Sequence, residues 1–154
     1  MQTSIPARVT ATAAIGLAVL WSHASCAGLG EPVGSIATDE TALHATALAV
    51  TPAQSYDVHD LTMSGGASIR EYATRAGMVF AVTWSGRGMP DLSVLLGGYY
   101  ADYLRAANRH ASRKIVSIAT AGLVLHIVKL PRGFLGAAYV PALIPAGTSP
   151  QDIR

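Results

Sequence analysis

Residues 56–84 read YDVHDLTMSGGASIREYATRAGMVFAVTW, and this stretch decides the fold. Residues 56–63 form a first extended run. Ser64-Gly65-Gly66 supplies a tight turn, because glycine accepts positive φ without a steric penalty. Residues 67–73 return, and Thr74-Arg75-Ala76-Gly77 turns the chain again. Residues 78–84 (MVFAVTW) mix β-branched and aromatic side chains in the most strand-like run of the sequence. Consecutive strands joined by such short turns predict an antiparallel meander.

Toward the C-terminus, Ser85-Gly86-Arg87-Gly88 ends that run and Pro90-Asp91 opens a helix. Proline suits a first helical turn, where its missing N–H would be unpaired anyway, and aspartate complements the dipole. Leu92, Leu95, Leu96, Tyr99 and Tyr103 recur at helical spacing and define one apolar face. Gly97-Gly98 interrupts it, each glycine costing about 1 kcal/mol relative to alanine, so the pair predicts a kink or a close approach to the sheet. Residues 114–120 and 123–130 flank Ala121-Gly122 as a further hairpin, and residues 134–140 make a last, edge-like strand. Pro141, Pro145 and Pro150 leave an extended tail. Toward the N-terminus, Thr38-Asp39-Glu40-Thr41 precedes Leu43, Ala47 and Leu48, which predicts a short amphipathic helix with an acidic first turn, ended by Thr51-Pro52. The expected class is α+β, an antiparallel β-meander sheet packed on one main α-helix.

The N-terminus has the three parts of a secretory signal. Arg8 supplies positive charge, residues 11–21 (ATAAIGLAVLW) are apolar, and residues 22–27 (SHASCA) place Ser25 and Ala27 at the −3 and −1 positions of a small-x-small cleavage site. The apolar run is about half the ~20 residues a transmembrane helix needs. Gly28, Gly30, Pro32 and Gly34 follow at once. Cleavage after Ala27 would deliver the remainder to the periplasm or the medium. Lipidation of Cys26 is the competing outcome: Ala24 and Ser25 suit it, but His23 stands where the usual leucine would be, and a lipid would turn an exported domain into an anchored one. No later run spans a membrane, because Lys129, Arg132 and several prolines interrupt the best one. The chain therefore divides into a signal peptide (1–27), an N-terminal loop with a short helix (28–55), an α+β domain (56–145) and a flexible tail (146–154).

Composition narrows the function classes. The chain has 154 residues, a single-domain length, and the roughly 125 that follow the signal are enough to bury over half their unfolded surface. The formal charge is +2, and Arg8 leaves with the signal, so the remainder lacks the basic field that nucleic-acid binding needs. Hydrophobic residues make up 51%, too many for a disordered chain. Cys26 is the sole cysteine and cleavage removes it, so core packing must hold the fold without a disulfide.

Four segments, YDVHDLTMSGGASIREYA (56–73), GMVFAVTWSG (77–86), PDLSVLLG (90–97) and GAAYVPALIPAG (136–147), together resemble the exported bacterial proteins grouped as Domain of Unknown Function 2844. The resemblance covers nearly all of the chain after the signal. It implies a location in a Gram-negative envelope and no activity, since that family carries no assigned catalytic residues.

Candidate chemistry is sparse. With a three-residue turn in the first hairpin, Asp60 faces Arg70 and His59 faces Glu71, partners whose Cβ atoms would lie about 4.5–5.5 Å apart. A His59–Glu71 pair has the makings of a general acid–base couple, while exposed cross-strand ion pairs are commonplace and worth roughly 0–1 kcal/mol. Glu71 also shares a face with Ile69, Phe80 and Val82, and a carboxylate among such neighbours has its pKa raised unless paired. His126, between Val124 and Val128, reads as a core or half-exposed histidine. The five histidines have no metal-site spacing, so no metal or cofactor is expected. Arg105, Arg109, His110, Arg113 and Lys114 cluster at the end of the main helix, where cations favour the dipole and where an acidic partner or anionic headgroup would also dock. Tyr99 and Tyr103 belong to the apolar stripe and Tyr100 points away from it, free to meet a ligand or partner. There is no GxSxG elbow and no phosphate-loop spacing. The expected function is a non-catalytic module that binds an envelope protein or a small ligand; the alternatives are a small envelope enzyme using His59 and Glu71, and a lipid-anchored envelope protein.

Overall fold

The computed structural model describes residues 28–108 and 115–153. Within them the first hairpin forms with the expected register. Strands β2 (Tyr56–Met63) and β3 (Ser68–Thr74) pair antiparallel, with His59 opposite Glu71 and Asp60 opposite Arg70. Gly66 closes the turn at φ 81°, and its N–H donates to the Met63 carbonyl. Strand β4 (Val79–Gly86) continues the meander through a turn at Gly77, φ 80°. A bulge leaves Phe80 without a partner on β3 and turns its ring to the face opposite Val79 and Val82. The remaining strands are β1 (Ala45–Pro52), β5 (Ile115–Ala119), β6 (Val124–Leu130) and β7 (Gly133–Tyr139). All described strands join one antiparallel sheet in the order β1-β2-β3-β4-β7-β6-β5.

Helices α1 (Ile36–Ala42), α2 (Leu92–Leu96) and α3 (Tyr100–Asn108) lie on one face of this sheet. The core between them contains Leu61 and Ile69 from β2 and β3, Val82 and Trp84 from β4, Leu125 and Ile127 from β6, and Leu92, Leu95 and Leu96 from α2. Strand β4 is buried from Val79 to Trp84, as befits the middle of seven strands. The Trp84 indole rests on Gly136 of β7, where a Cβ would stand 2.1 Å from the ring, so any side chain at 136 would collide with it. No helix among the described residues is long and apolar enough to cross a membrane.

The α+β class holds, and several details change. The helix expected to end at Thr51-Pro52 stops at Ala42; His44 then adopts φ 50° and the chain enters β1. Ala47 pairs with Leu61 across the β1–β2 ladder, Leu48 falls in a bulge and is 65% exposed, and neither is buried as a helical apolar stripe would be. A short isolated helix is marginal, and the ladder offers each backbone group a partner. The sheet therefore begins at residue 45, inside the segment read as loop and helix (28–55). The main helix is divided: Gly97 takes φ 49°, and a 3₁₀ turn at Gly97–Tyr99 separates α2 from α3. Its start also moves, since Asp91 is the cap that accepts from the Ser93 N–H at 2.8 Å and Pro90 lies before it. Strand β7 is not an edge but lies between β4 and β6, because the second meander returns to pair with the first. The tail is ordered as a 3₁₀ turn at Pro150–Asp152, capped by Ser149, and Ile153 is buried.

Candidate functional site

The period-two alternation of β3 sends Ile69 and Glu71 to the helix-covered face and Ser68 and Arg70 to the opposite, open face. Each face presents one feature with chemistry.

On the covered face, Glu71 is fully buried, and so is Asp39 of α1. Their carboxyl groups lie within hydrogen-bonding reach of each other. No N–H or O–H donor among the described residues satisfies any of the four oxygens. Burial is the first cause of a Glu71 pKa pushed up to about 9, with the Asp39 charge and hydrogen bond adding to it. Burial likewise raises Asp39 to about 7, which its hydrogen bond with Glu71 offsets in part. Desolvated side by side in this way, the two carboxyls hold their protons to higher pH than free acids do. Asp39 sits in the first turn of α1, where the helix dipole favours its anion by about 0.3–1 kcal/mol. Desolvation is the larger effect and prevails. His59 stands opposite Glu71 in register and is half-buried, yet the Glu71 carboxyl meets Asp39 instead. Sealed in this way, Glu71 is out of reach of a substrate, and the His59–Glu71 couple envisaged for catalysis is not assembled.

On the open face, the C-terminal segment covers one half of the sheet. Tyr72, Phe80, Ala81 and Ile153 form a second buried cluster, with Tyr56, Val58, Tyr139, Leu143 and Ile144 packed against it. Phe80 meets Tyr56 and Tyr72 edge-to-face at centroid distances of 5.6 and 6.1 Å, and the two tyrosine rings are tilted against each other at 5.9 Å. Ile153 forms one wall of a cleft of about 310 Å³ over the uncovered half. Its floor is apolar, from Val128, Leu135, Gly136, Ala137 and the edge of Trp84, and its polar lining is Ser68, Arg70, Thr83, Ser85 and His126. The side chains come from β3, β4, β6 and β7, so four adjacent strands hold them in place. Arg70 donates to Asp60 at 2.8 Å, and that bond raises the guanidinium pKa further. His126 is exposed, with Nδ1 3.0 Å from the Ser117 hydroxyl. Of the two positions expected for it, core or half-exposed, it takes neither the core nor a covered place but lies on the open face.

The remaining candidates disperse. Arg105 ion-pairs with Asp102 three residues earlier on α3. Arg109, His110, Arg113 and Lys114 lie outside the described residues, as do the signal peptide, Ser25, Cys26 and Ala27. Tyr100 does not point away from the core. Its ring stacks on Tyr103 at 5.8 Å and both pack against the main cluster, because the 3₁₀ turn before it advances the helical phase. Among the described residues, no group of three His, Cys, Asp or Glu side chains is placed to hold a metal. Asp39 was missed as a partner of Glu71, although Ile36, Asp39 and Leu43 have the i, i+3, i+7 spacing of one helix face. The cleft was missed because its lining pairs strands remote in sequence.

The arrangement defines a single-sheet α+β protein with one sealed face and one face that keeps a built cleft. Within that class the particular family is clear: the family described as a protein of unknown function, DUF2844, matches residues 25–153, and the chain belongs to it. No curated protein and no solved structure matches the chain.

Proposed function

We propose that the protein is an exported, non-catalytic binding module whose ligand occupies the open-face cleft. The observation that carries this reading is the cleft itself. Its volume of about 310 Å³ stands at the lower end of the range of small-molecule sites, about 300–1,000 Å³. An apolar floor with hydroxyl, imidazole and guanidinium groups in the lining matches a small ligand with an apolar body and a hydrogen-bonding end. The signal-like residues 1–27 support export to the periplasm or medium, and an unlipidated start at Gly28 is the form proposed.

Ala137 lies in the floor, so Ala137→Trp should fill the cleft while leaving the covered face untouched. Native mass spectrometry of protein isolated gently from its host should show a small molecule retained by the natural chain and lost from this variant. Identical spectra would refute the cleft as the site. N-terminal sequencing of the same material should begin at Gly28, and an intact Met1 in the cytosolic fraction would refute export.

A further inference from the structure

We propose that Asp39 and Glu71 form a proton-dependent clasp that locks α1 onto the sheet and, when it loses its proton, opens the seam between α1 and strands β1 and β2.

The geometry supports this in three ways. First, the clasp joins separate elements: Asp39 belongs to α1 and Glu71 to β3, and both side chains are fully buried. Second, α1 has little else to hold it. It is a seven-residue helix, too short to persist alone, and it buries Ile36 and Asp39, with Leu43 just beyond its end. Its N-cap, Ser35, makes no side-chain capping bond, and the buried Ser35 hydroxyl finds no partner among the described residues. Third, a crevice of about 240 Å³ already runs along the seam, its lining including Ile36, Ala47, Val50, His59, Asp60 and Leu61. Release of α1 would widen an existing opening.

A buried pair of carboxyls is stable with a proton between them, since the protonated group donates to its neighbour. Removing that proton leaves two anions side by side in a site without donors, and the cheapest relief is to bring water in by moving the more weakly held element. That element is α1, because β3 is paired on both sides. Few other charges bear on the pair. On α1, Glu40 accepts from the Ala47 N–H at 3.2 Å. On β2, His59 stands opposite Glu71 in register. Asp60, which also borders the crevice, is engaged by Arg70 at 2.8 Å. Strand β4 and α2 present Val82, Trp84, Leu92, Leu95 and Leu96 on this side, none of them titratable. The raised carboxyl pKa values place the loss of the first proton near neutral pH and of the last, which leaves two anions, at mildly alkaline pH. An exported chain meets such external pH changes directly.

Amide hydrogen exchange from pH 6 to 9, corrected for the intrinsic rate, tests the clasp. In the natural chain, protection of the Leu43 N–H, which donates to the Asp39 carbonyl, should fall by about tenfold or more. Amides of β4 should keep their protection. The Asp39→Asn/Glu71→Gln double variant should show no such fall in α1. An unchanging Leu43 protection in the natural chain, the same fall in the double variant, or an equal loss throughout β4 would each overturn the proposal. Should the double variant fail to fold, the carboxyl ¹³C shift of Glu71 in the natural chain decides: a midpoint well above the ordinary 4.5 supports the clasp and one at 4.5 overturns it.

Discussion

The two faces of the sheet are built from alternate residues of the same strands, yet they end in different states. The covered face takes Ile69, Val82, Trp84, Leu125 and Ala138 under α1 and α2 and seals even a pair of carboxyls. The open face takes Arg70, Thr83, Ser85, His126 and Ala137 and is roofed only in part, by the C-terminal segment ending at Ile153. The difference teaches that sealing is decided by what crosses the sheet. Strand alternation sorts side chains into two sets, and the helices and tail then determine which set is dry.

The sharpest way to break the comparison is to empty the covered face at its centre. Trp84→Ala removes a fully buried indole and should cost about 3–5 kcal/mol, read as a lower denaturation midpoint. The next test inverts the usual sign of a core substitution. Glu71→Gln replaces a carboxyl whose folded pKa is raised with an amide that donates to Asp39. Because both carboxyls bind protons more tightly folded than unfolded, their favourable contribution is full below the unfolded values of 3.8 and 4.5 and is lost as pH rises through about 7 and 9. The natural chain should therefore lose stability steadily from pH 5 to 9. The variant should be the more stable at pH 9, by roughly 3 kcal/mol, and a variant less stable than the natural chain at that pH would contradict the raised carboxyl pKa values. On the open face the effects shrink. Ile153→Ala should cost about 2 kcal/mol, the low end for a buried isoleucine, because the tail packs on one side only. It should also widen the cleft, measurable as a changed retention of the native ligand. Smallest is Arg70→Ala, which breaks an exposed pair with Asp60 and should shift stability by under about 1 kcal/mol. A larger loss there would mean that the open face carries structure as well as a cleft.

Local patterns were legible where neighbours in sequence are neighbours in space. The turn at Ser64-Gly65-Gly66 set the register that brings Glu71 opposite His59 and Arg70 opposite Asp60. The burial of Glu71 was foreseeable from Ile69 and Val82 on the same face. Its partner was not, because Asp39 is thirty-two positions earlier, on a helix whose position relative to β3 no local rule provides. Gly97-Gly98 announced a break in the helix, but only the φ of Gly97 and the following 3₁₀ turn show Tyr100 swung onto the core. Ala47 and Leu48 misled for the same reason: their spacing fits a helix, and the ladder offered by β2 overrode it.

By itself, the amino-acid sequence determined that this chain is an antiparallel meander with a helical cover, since glycine turns and period-two runs act within a few residues. It also determined family membership, through four ordered segments. Only the tertiary structure decided that β7 closes the sheet against β4, that Asp39 meets Glu71, and that Ile153 walls a cleft. The physical reason is range: turn chemistry and side-chain alternation are near-neighbour effects, whereas burial and proton sharing depend on which distant elements the collapsing core brings together.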